Sequence, residues 1–322
     1  MSKLRVAVLY GGRSGEHEVS LNSAESIIQA MDPAKYEVQR ILISKEGRWQ
    51  PRAISPEPGG NPDIDVVFPV LHGTFGEDGT VQGLLELADL PYVGAGVLAS
   101  SVSMDKDVMK RLCAASGLPV VEYYVHTGIQ VPGIPMEFPM FVKPANLGSS
   151  VGISKVKSAE ELGPALRFAA EFDRKIVVER GIVGREFECS VLGNDDPKAS
   201  IPCEILPSRD FYDYEDKYLL NKAQTVVPAD LTPEQTAEIQ RLAVACYQSV
   251  GCEGMARVDF LLETATGKFF INEINTIPGF TSISMYPKMW EASGLPYPAL
   301  IDRLIELAME RHQKRHGMRY SR

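Results

Sequence analysis

Three short apolar runs near the start of the chain limit its fold most strongly. They read LRVAVLY at 4–10, EVQRILI at 37–43 and DVVFPVL at 65–71, and a helical pattern from about Ser20 to Met31 separates the first two. Apolar runs of this kind are typical of parallel strands that are buried on both faces. Because strands here alternate with a helical pattern, we expect a parallel, doubly wound α/β domain over residues 1–103.

The pattern changes after a helix that Gly117 and Pro119 terminate. Short strand patterns follow, at VEYYVH, MFVKPA, GISKV and KIVVER, and they predict an α+β domain over 104–184. A third domain, 185–322, is predicted from the strands EFECSVLG and SIPCEIL, a long helix at 232–250, two more strands and a final helix. The sequence therefore predicts a three-domain protein that combines α/β and α+β units.

Composition and charge argue against several classes of partner. The chain has 33 basic and 42 acidic residues, a formal net charge of -9, which argues against a nucleic-acid or anionic-membrane surface. No apolar stretch approaches a membrane span, and the first apolar run is too short for a secretory signal. The five cysteines form no CxxC pair, so they suggest neither a disulfide framework nor a zinc site. We expect a cytoplasmic protein whose basic terminal run, 311–322, is solvated.

Two strand patterns, MARVDFLLE and KFFINEIN, flank a short turn that contains glycine. This arrangement predicts a β-hairpin. If residues 265–267 form a three-residue loop with Gly267 in the left-handed conformation, Thr264 pairs with Lys268. The register of the whole ladder then follows from that pair.

The register places four polar side chains on one face of the hairpin. Asp259 lies opposite Glu273, and Arg257 lies opposite Asn275. Two neighbouring carboxylates repel each other unless a cation lies between them. Ligands that are all oxygen atoms favour Mg²⁺ or Mn²⁺ over zinc. The alternative is an ion-pair patch around Arg257 on a solvated sheet face.

A magnesium site of this kind usually bridges protein carboxylates to substrate phosphates, so cationic phosphate binders are expected elsewhere. Lys106 in SMDKDVMK and Lys143 in FVKPANLGSSVGISK fit this role. The loop after Lys143 can present backbone N–H groups and the hydroxyls of Ser149 and Ser150 to an anion, although a plain turn is the alternative. Neither GxxxxGK[ST] nor GxGxxG occurs at the expected place. Near the first strand, Glu16 is either a first-turn helix acid or a ligand-binding residue.

Seven segments together resemble the D-alanine:D-alanine ligases of the ATP-grasp superfamily. They occur in that family's order over residues 11–284 and read GGRSGEHEVS, VLHGTFGEDGTVQGLLE, SMDK, FVKPANLGSSVGISKV, FYDYEDKY, RVDF and INEINTIPGFTSIS. The resemblance implies an ATP-grasp architecture in which ATP lies between the second and third domains. It also implies a homodimer that joins two D-alanine molecules through an acyl phosphate, with ATP and two Mg²⁺ or Mn²⁺ ions, for peptidoglycan precursor synthesis.

The resemblance also implies which residues bind the metal and the nucleotide. The implied metal ligands are Asp259, Glu273 and Asn275. The implied ATP-binding residues are Lys106, Lys143, Ser150, Glu179, Arg180, Ile182 and Glu186. Many relatives have lysine where this chain has Arg180, but the adenine contact is partly made by the backbone, so we expect little consequence.

Substrate and catalytic residues are implied in the same way. Glu16 would bind the ammonium group of the first D-alanine, in a hydrogen-bonded set with Ser149 and Tyr218. Lys217 and Ser284 would bind the carboxylate of the second D-alanine. Arg257 and the backbone N–H of Gly279 would form the oxyanion hole. His72 would lie near the reacting carboxylate, unless it is a satisfied buried histidine at a strand end.

The sequence motifs are also compatible with three other functions. A D-alanine:D-serine or D-alanine:D-lactate ligase would share most of these motifs, but Tyr218 in FYDYEDKY accompanies dipeptide synthesis in the family. A non-catalytic nucleotide-binding regulator would be favoured by a broken metal triad, and this triad is complete. Other ATP-grasp enzymes should lack FYDYEDKY. Because water would hydrolyse an acyl phosphate, we expect ANLGSSVG and the run 208–225 to close over the site.

Overall fold

Three sheets and the helices that cover them make up the fold. The computed structural model describes residues 3–127, 133–206, 224–281 and 283–319. Its sheets follow one another along the chain, which confirms the predicted combination of α/β and α+β units. Within these ranges, no helix has both the length and the apolar character needed to cross a bilayer.

The first sheet is mostly parallel, as predicted. Strand β1 (Leu4–Gly11) lies between β2 (Tyr36–Ile43) and β4 (Val66–Val70) and is parallel to both. The short β3 (Trp49–Gln50) pairs with β2 in the antiparallel direction at the edge. Helix α1 (His17–Ala30) packs on β1 and turns Ala24 and Ile27 into the core. Every residue of β4 is buried, which explains its unbroken apolar pattern.

A second sheet, antiparallel throughout, forms the middle of the chain. Its order is β5-β8-β6-β7. The strand bounds are β5 (Tyr123–Thr127), β6 (Met140–Pro144), β7 (Ser154–Val156) and β8 (Lys175–Arg180). The helices of this region and of the segment before it are α2 (Thr80–Leu87), α3 (Val97–Met104), α4 (Lys106–Ala115) and α5 (Ala159–Ala170). Leu162 and Leu166 of α5 pack against this sheet and form its small core.

The third sheet is also antiparallel and carries most of the polar residues of interest. Its order is β12-β11-β9-β13-β14, with β10 paired to β9. The strand bounds are β9 (Gly184–Gly193), β10 (Lys198–Ala199), β11 (Cys203–Leu206), β12 (Gln224–Val226), β13 (Gly254–Glu263) and β14 (Phe269–Asn275). Helix α6 (Pro233–Ser249) begins with a capping box between Thr232 and Gln235, and it covers the apolar face of the sheet.

The turn between β13 and β14 differs from the prediction. The backbone N–H of Glu263 donates to the carbonyl of Lys268 at 3.0 Å, so Lys268 pairs with Glu263 and not with Thr264. The loop is therefore one residue longer than expected, although Gly267 has the expected left-handed φ of 65°. By itself, this change would place Glu273 on the opposite face from Asp259, because a shift of one residue reverses every side chain.

A β-bulge restores the predicted register near the polar residues. Phe260 lies opposite Ile271, whereas Asp259 lies opposite Glu273. Asn272 is the additional residue on β14, and beyond it Arg257 lies opposite Asn275, as predicted. The four polar side chains thus share one face because the longer loop and the bulge cancel each other.

Two further helices, α7 (Met285–Ala292) and α8 (Tyr297–His316), pack back on the first sheet. Leu300 and Leu304 of α8 share one apolar cluster with Val6 and Val8 of β1. The core of the N-terminal sheet therefore contains residues from both ends of the described chain. The domain boundaries at 103/104 and 184/185 stay predictions.

Candidate functional site

Two adjoining cavities lie between the elements of the three sheets. Their volumes are about 890 and 450 Å³. Both are lined by Lys106, Leu147, Gly148, Glu188 and Glu273, so the two spaces meet at these residues.

The structure brings the sequence-predicted residues together around these cavities. The larger cavity is lined by Glu16, His72, Ser149, Arg257, Glu273, Asn275, Gly279 and Ser284. The smaller cavity is lined by Lys106, Lys143, Ser150, Glu179, Arg180, Ile182, Glu186, Asp259 and Glu273. The predicted Lys217 and Tyr218, and nearly all of the predicted lid at 208–225, lie outside the described residues. Residues implied for substrate and residues implied for ATP therefore face two separate but connected spaces.

Glu16 meets the Gly/Ser loop at one wall of the larger cavity. The hydroxyl of Ser149 donates a short hydrogen bond to a carboxylate oxygen of Glu16. Ser149 and Ser150 both have left-handed backbone, with φ of 53° and 59°. Two such residues in succession are uncommon outside glycine, and strained backbone of this kind clusters at ligand sites. The loop is tied to the body of the protein where the N–H of Asn146 donates to Asp173 at 2.8 Å.

His72 is buried at the end of the segment that follows β4, and both of its ring nitrogens have partners. Burial lowers the pKa of His72, so its ring is neutral. Nδ1–H then donates to the carbonyl of Ile277 at 3.0 Å, and Nε2 accepts from Ser23 at 3.3 Å. The Ser23 oxygen also accepts the N–H of Phe280 at 3.2 Å. His72 thus holds the segment before α7 in place, and its contact with substrate stays a prediction.

Glu77 is a largely buried carboxyl group that lines the larger cavity beside His72. Its Oε1 accepts the N–H of Gly73 at 2.7 Å and lies 3.8 Å from His72 Nδ1. Burial, together with the negative charge of Glu16, raises the pKa of Glu77 to about 8. Glu77 is therefore mostly protonated at neutral pH.

Arg257 occupies the centre of the polar hairpin face. Its guanidinium donates to both carboxylate oxygens of Asp259 at 2.7 Å and lies 3.3 Å from Glu188. Burial opposes the positive charge, but the two carboxylates raise the pKa of Arg257 well above its ordinary value. The arginine thus remains charged where it borders the larger cavity.

The oxygen atoms around Arg257 suit a hard divalent cation. Asp259 and Glu273 face each other across the ladder, and Lys106 lies 3.5 Å from Glu273. Asn275 Oδ1 accepts the N–H of Ile277 at 3.0 Å and keeps a second lone pair. Two carboxylates and an amide oxygen match the ligand preference of Mg²⁺ and Mn²⁺, so the residues present fit such an ion.

A buried ion cluster supports the wall of the smaller cavity. Lys143 donates to Glu179 at 2.6 Å and to Asn272 at 3.3 Å. The ammonium group of Lys110 lies 3.0 Å from the other oxygen of Glu179. Burial raises the pKa of Glu179, but the two lysine charges outweigh burial and lower it to about 2. Burial lowers the pKa of Lys110, and the attraction of Glu179 opposes that effect. Because Glu179 has two cationic partners, it stays ionised.

At the far wall of the larger cavity, Gly279 packs directly against Ser284. A Cβ atom on Gly279 would lie 2.8 Å from the Ser284 hydroxyl oxygen, so a larger residue there would displace that hydroxyl. The same oxygen accepts the N–H of Thr281 at 2.9 Å. Ser284 is also the N-cap residue of α7, so the positive end of that helix faces this part of the cavity.

Sequence reasoning missed four charged or polar residues that line or support the cavities: Glu77, Lys110, Glu188 and Asn272. Lys110 follows Lys106 by four residues in a helical pattern, so the spacing indicates a shared face. Glu188 alternates with Glu186 along β9 and therefore points the same way. Asn272 would have faced the core in an unbroken strand, and only the bulge turns it toward Lys143.

Comparisons with known proteins agree with this geometry. Family models described as D-ala D-ala ligase N-terminus and D-ala D-ala ligase C-terminus match residues 5–61 and 51–95, and residues 112–306. A D-alanine--D-alanine ligase of Solibacter usitatus (strain Ellin6076) is 65% identical to this chain over an alignment of 325 positions. The alignment covers 99% of this chain and 100% of that protein.

Solved structures show the same architecture. The structure of the D-alanine-D-alanine ligase from Coxiella burnetii matches with a TM-score of 0.87 and 42% identity, covering 98% of this chain and 97% of that one. The VanG D-Ala:D-Ser ligase from Enterococcus faecalis matches with a TM-score of 0.88 and 35% identity, covering 95% of this chain and 100% of that one. The fold is the ATP-grasp architecture that the motifs implied, and the chain belongs to the D-alanine–D-alanine ligase family.

Proposed function

We propose that this chain joins two D-alanine molecules into D-alanyl-D-alanine, with ATP as co-substrate and an acyl phosphate as intermediate. The product would serve peptidoglycan precursor synthesis. Membership of the family and 65% identity to a D-alanine--D-alanine ligase support the proposal. The structural observation that carries it is the junction of the two cavities at Lys106 and Glu273. A phosphoryl group held at that junction can reach a carboxylate in the larger cavity.

The first step would use the lysines and Glu16. A carboxylate oxygen of the first D-alanine attacks the γ-phosphorus of ATP, a new P–O bond forms, and ADP leaves. Lys106 and Lys143 offset the negative charge of the phosphates, as cations do in phosphoryl transfer. Glu16, oriented by Ser149, holds the substrate ammonium group by charge and hydrogen bonding.

The second step would use the larger cavity. The neutral amine of the second D-alanine attacks the acyl carbonyl and a C–N bond forms. The C–O bond to phosphate then breaks, and inorganic phosphate leaves with the proton that the amine loses. Arg257 and the N–H of Gly279 are the proposed donors to the tetrahedral oxyanion, a contribution worth about 2.7–4 kcal/mol per donor in other enzymes. Ser284 would hold the carboxylate of the second D-alanine at the start of α7.

Asp259, Glu273 and Asn275 would hold two Mg²⁺ or Mn²⁺ ions. When bound, these ions would offset the charge on the phosphate oxygens of ATP. Arg257 and Lys106 pair with the same two carboxylates, so the proposed metal ligands also position these two cations beside the substrate space. We also propose a cytoplasmic homodimer with no nucleic-acid or membrane partner, in line with the net charge of -9.

Phosphate release from ATP tests the substrate assignment. D-alanine, L-alanine, D-serine and D-lactate are offered singly and in pairs at neutral pH, and the products are separated by mass. We expect release with D-alanine alone and D-alanyl-D-alanine as the main product in every mixture that contains D-alanine. A main product with D-serine or D-lactate at its second position would overturn the assignment of D-alanine as the second substrate. It would favour a D-alanine:D-serine or D-alanine:D-lactate ligase. No release with any pair would favour a nucleotide-binding regulator.

A further inference from the structure

A cluster of two imidazoles and a carboxylate lies on the surface outside both cavities. His312 and His316 are one turn apart on α8, and Asp89 follows α2. Each residue offers one ligand atom, and the three atoms lie within 4.8 Å of one another. Elsewhere in the described part of the chain, no other group of three such side chains converges in this way.

We propose that Asp89, His312 and His316 form a binding site for Zn²⁺ or a chemically similar divalent ion such as Ni²⁺ or Co²⁺. Imidazole nitrogen suits these ions and not Mg²⁺, which requires oxygen ligands. Two histidines four residues apart on a helix present their rings on one face, the spacing that helical zinc sites use. A water molecule would complete a four-coordinate site with three protein ligands.

Two of the three distances between ligand atoms are close to those expected around zinc. Nε2 of His312 lies 3.2 Å from Asp89 Oδ1, and Nε2 of His316 lies 3.0 Å from the same oxygen. Zinc bonds of about 2.0–2.1 Å in tetrahedral geometry put neighbouring ligand atoms about 3.3 Å apart. The two ring nitrogens lie within 4.8 Å of each other, so they would need to reach a similar separation around a single ion.

The backbone and neighbouring contacts hold the three ligands in place. Asp89 has a left-handed φ of 54°, which fixes it at the end of α2. The adjacent Arg311 donates to the carbonyl of Tyr92 at 2.8 Å, and Arg315 forms an ion pair with Glu86. These contacts dock α8 on the N-terminal domain whether or not an ion is present, so the ligands are positioned in advance.

The position of the site indicates a structural role. Asp89 belongs to the N-terminal domain, whereas both histidines belong to the last described helix. None of the three lines either cavity. A bound ion would therefore link α8 to the first sheet and stabilise the native state, by an amount that rises with the logarithm of the ion concentration above the dissociation constant.

Zinc titration of the tagless protein by calorimetry tests the site, with saturating Mg²⁺ present to occupy the hairpin carboxylates. We expect one zinc ion per chain in the wild type. His312→Gln, His316→Gln and Asp89→Asn should each weaken zinc binding by at least about tenfold, since even supporting contacts around metals contribute that much. Asparagine tolerates the left-handed backbone conformation of residue 89, so Asp89→Asn should not strain the chain. Gln313→Ala, an exposed change on the same helix, is the matched control and should bind zinc like the wild type.

Thermal melting with and without zinc tests the structural role of the site. The melting temperature of the wild type and of Gln313→Ala should rise with added Zn²⁺, whereas that of the His312→Gln/His316→Gln double variant should not. Zinc binding of wild-type strength in the double variant would refute the assignment. So would a wild-type isotherm that shows no zinc binding in the presence of Mg²⁺.

Discussion

The buried ion cluster around Glu179 allows a quantitative prediction about stability. The pKa of Glu179 falls from 4.5 to about 2, because the charges of Lys110 and Lys143 outweigh the effect of burial. A fall of about 2.5 pKa units corresponds to about 3 kcal/mol in favour of the ionised carboxylate. Lys110 and Glu179 are almost inaccessible to solvent, so this interaction is little screened.

The perturbation is Glu179→Gln, which removes the charge and keeps the shape of the side chain. Lys110 and Lys143 then remain buried without a countercharge, and breaking a buried pair in this way typically costs about 3–5 kcal/mol. We expect a melting temperature several degrees lower at pH 7, measured by circular dichroism. The matched control is Glu25→Gln, which breaks an exposed 2.7 Å pair with Arg40 and should lower the melting temperature far less than Glu179→Gln, because solvent screens such pairs.

The pH dependence has a definite sign. The folded pKa of Glu179 lies below the unfolded one, so the stabilisation is complete above about pH 4.5 and is lost as the pH falls toward 2. The difference between the wild type and Glu179→Gln should therefore narrow below pH 4.5. In a double-mutant cycle, Lys110→Met should lessen the cost of Glu179→Gln. Equal melting of Glu179→Gln and Glu25→Gln at pH 7, or strict additivity in the cycle, would refute the reasoning.

Three further predictions concern the hairpin, a strand contact and the thiols. Glu273→Gln should abolish phosphate release at saturating Mg²⁺ and keep the melting temperature, since Glu273 is a half-buried side chain of the cavity wall; wild-type turnover would contradict its role. Gly184→Ala should lower the free energy of unfolding in urea by about 1–3 kcal/mol, because a Cβ atom would lie 1.9 Å from the carbonyl oxygen of Leu262. The control Gly83→Ala in α2 has open space around it and should be neutral or stabilising. The five cysteines are free and buried, so they should react with a thiol reagent only as fast as the protein unfolds, and rapid native-state labelling would argue against that burial.

Periodicity predicted much of the fold because the apolar runs of β1 and β4 are unbroken and leave few alternatives. The hairpin loop was predicted one residue too short, because a three-residue and a four-residue loop both place Gly267 in the left-handed conformation. FFINEIN places two successive polar residues, Asn272 and Glu273, between the buried Ile271 and Ile274, so its alternation breaks at the bulge. The prediction treated the strand as regular and passed over this local signal. Lys110 was missed for a different reason: its spacing from Lys106 indicates a face, but only the packing of α4 shows that Glu179 lies opposite that face.

Pairing of Asp259 with Glu273 was predicted correctly, although two local errors cancelled on the way. The roles of the site residues came from the family resemblance and not from periodicity. A strand pattern shows which side chains share a face, but it does not show which ligand that face binds.

Helix α8 sets a limit on how this protein can fold while a ribosome is still making it. Domains generally fold during synthesis, N-terminal first. Here the first strands leave the ribosome early, but the apolar residues that cover Val6 and Val8 include Leu300 and Leu304, which are made much later. Until α8 emerges, the nascent N-terminal sheet has one unfinished face. That face would be an aggregation hazard and a natural place for a chaperone to bind.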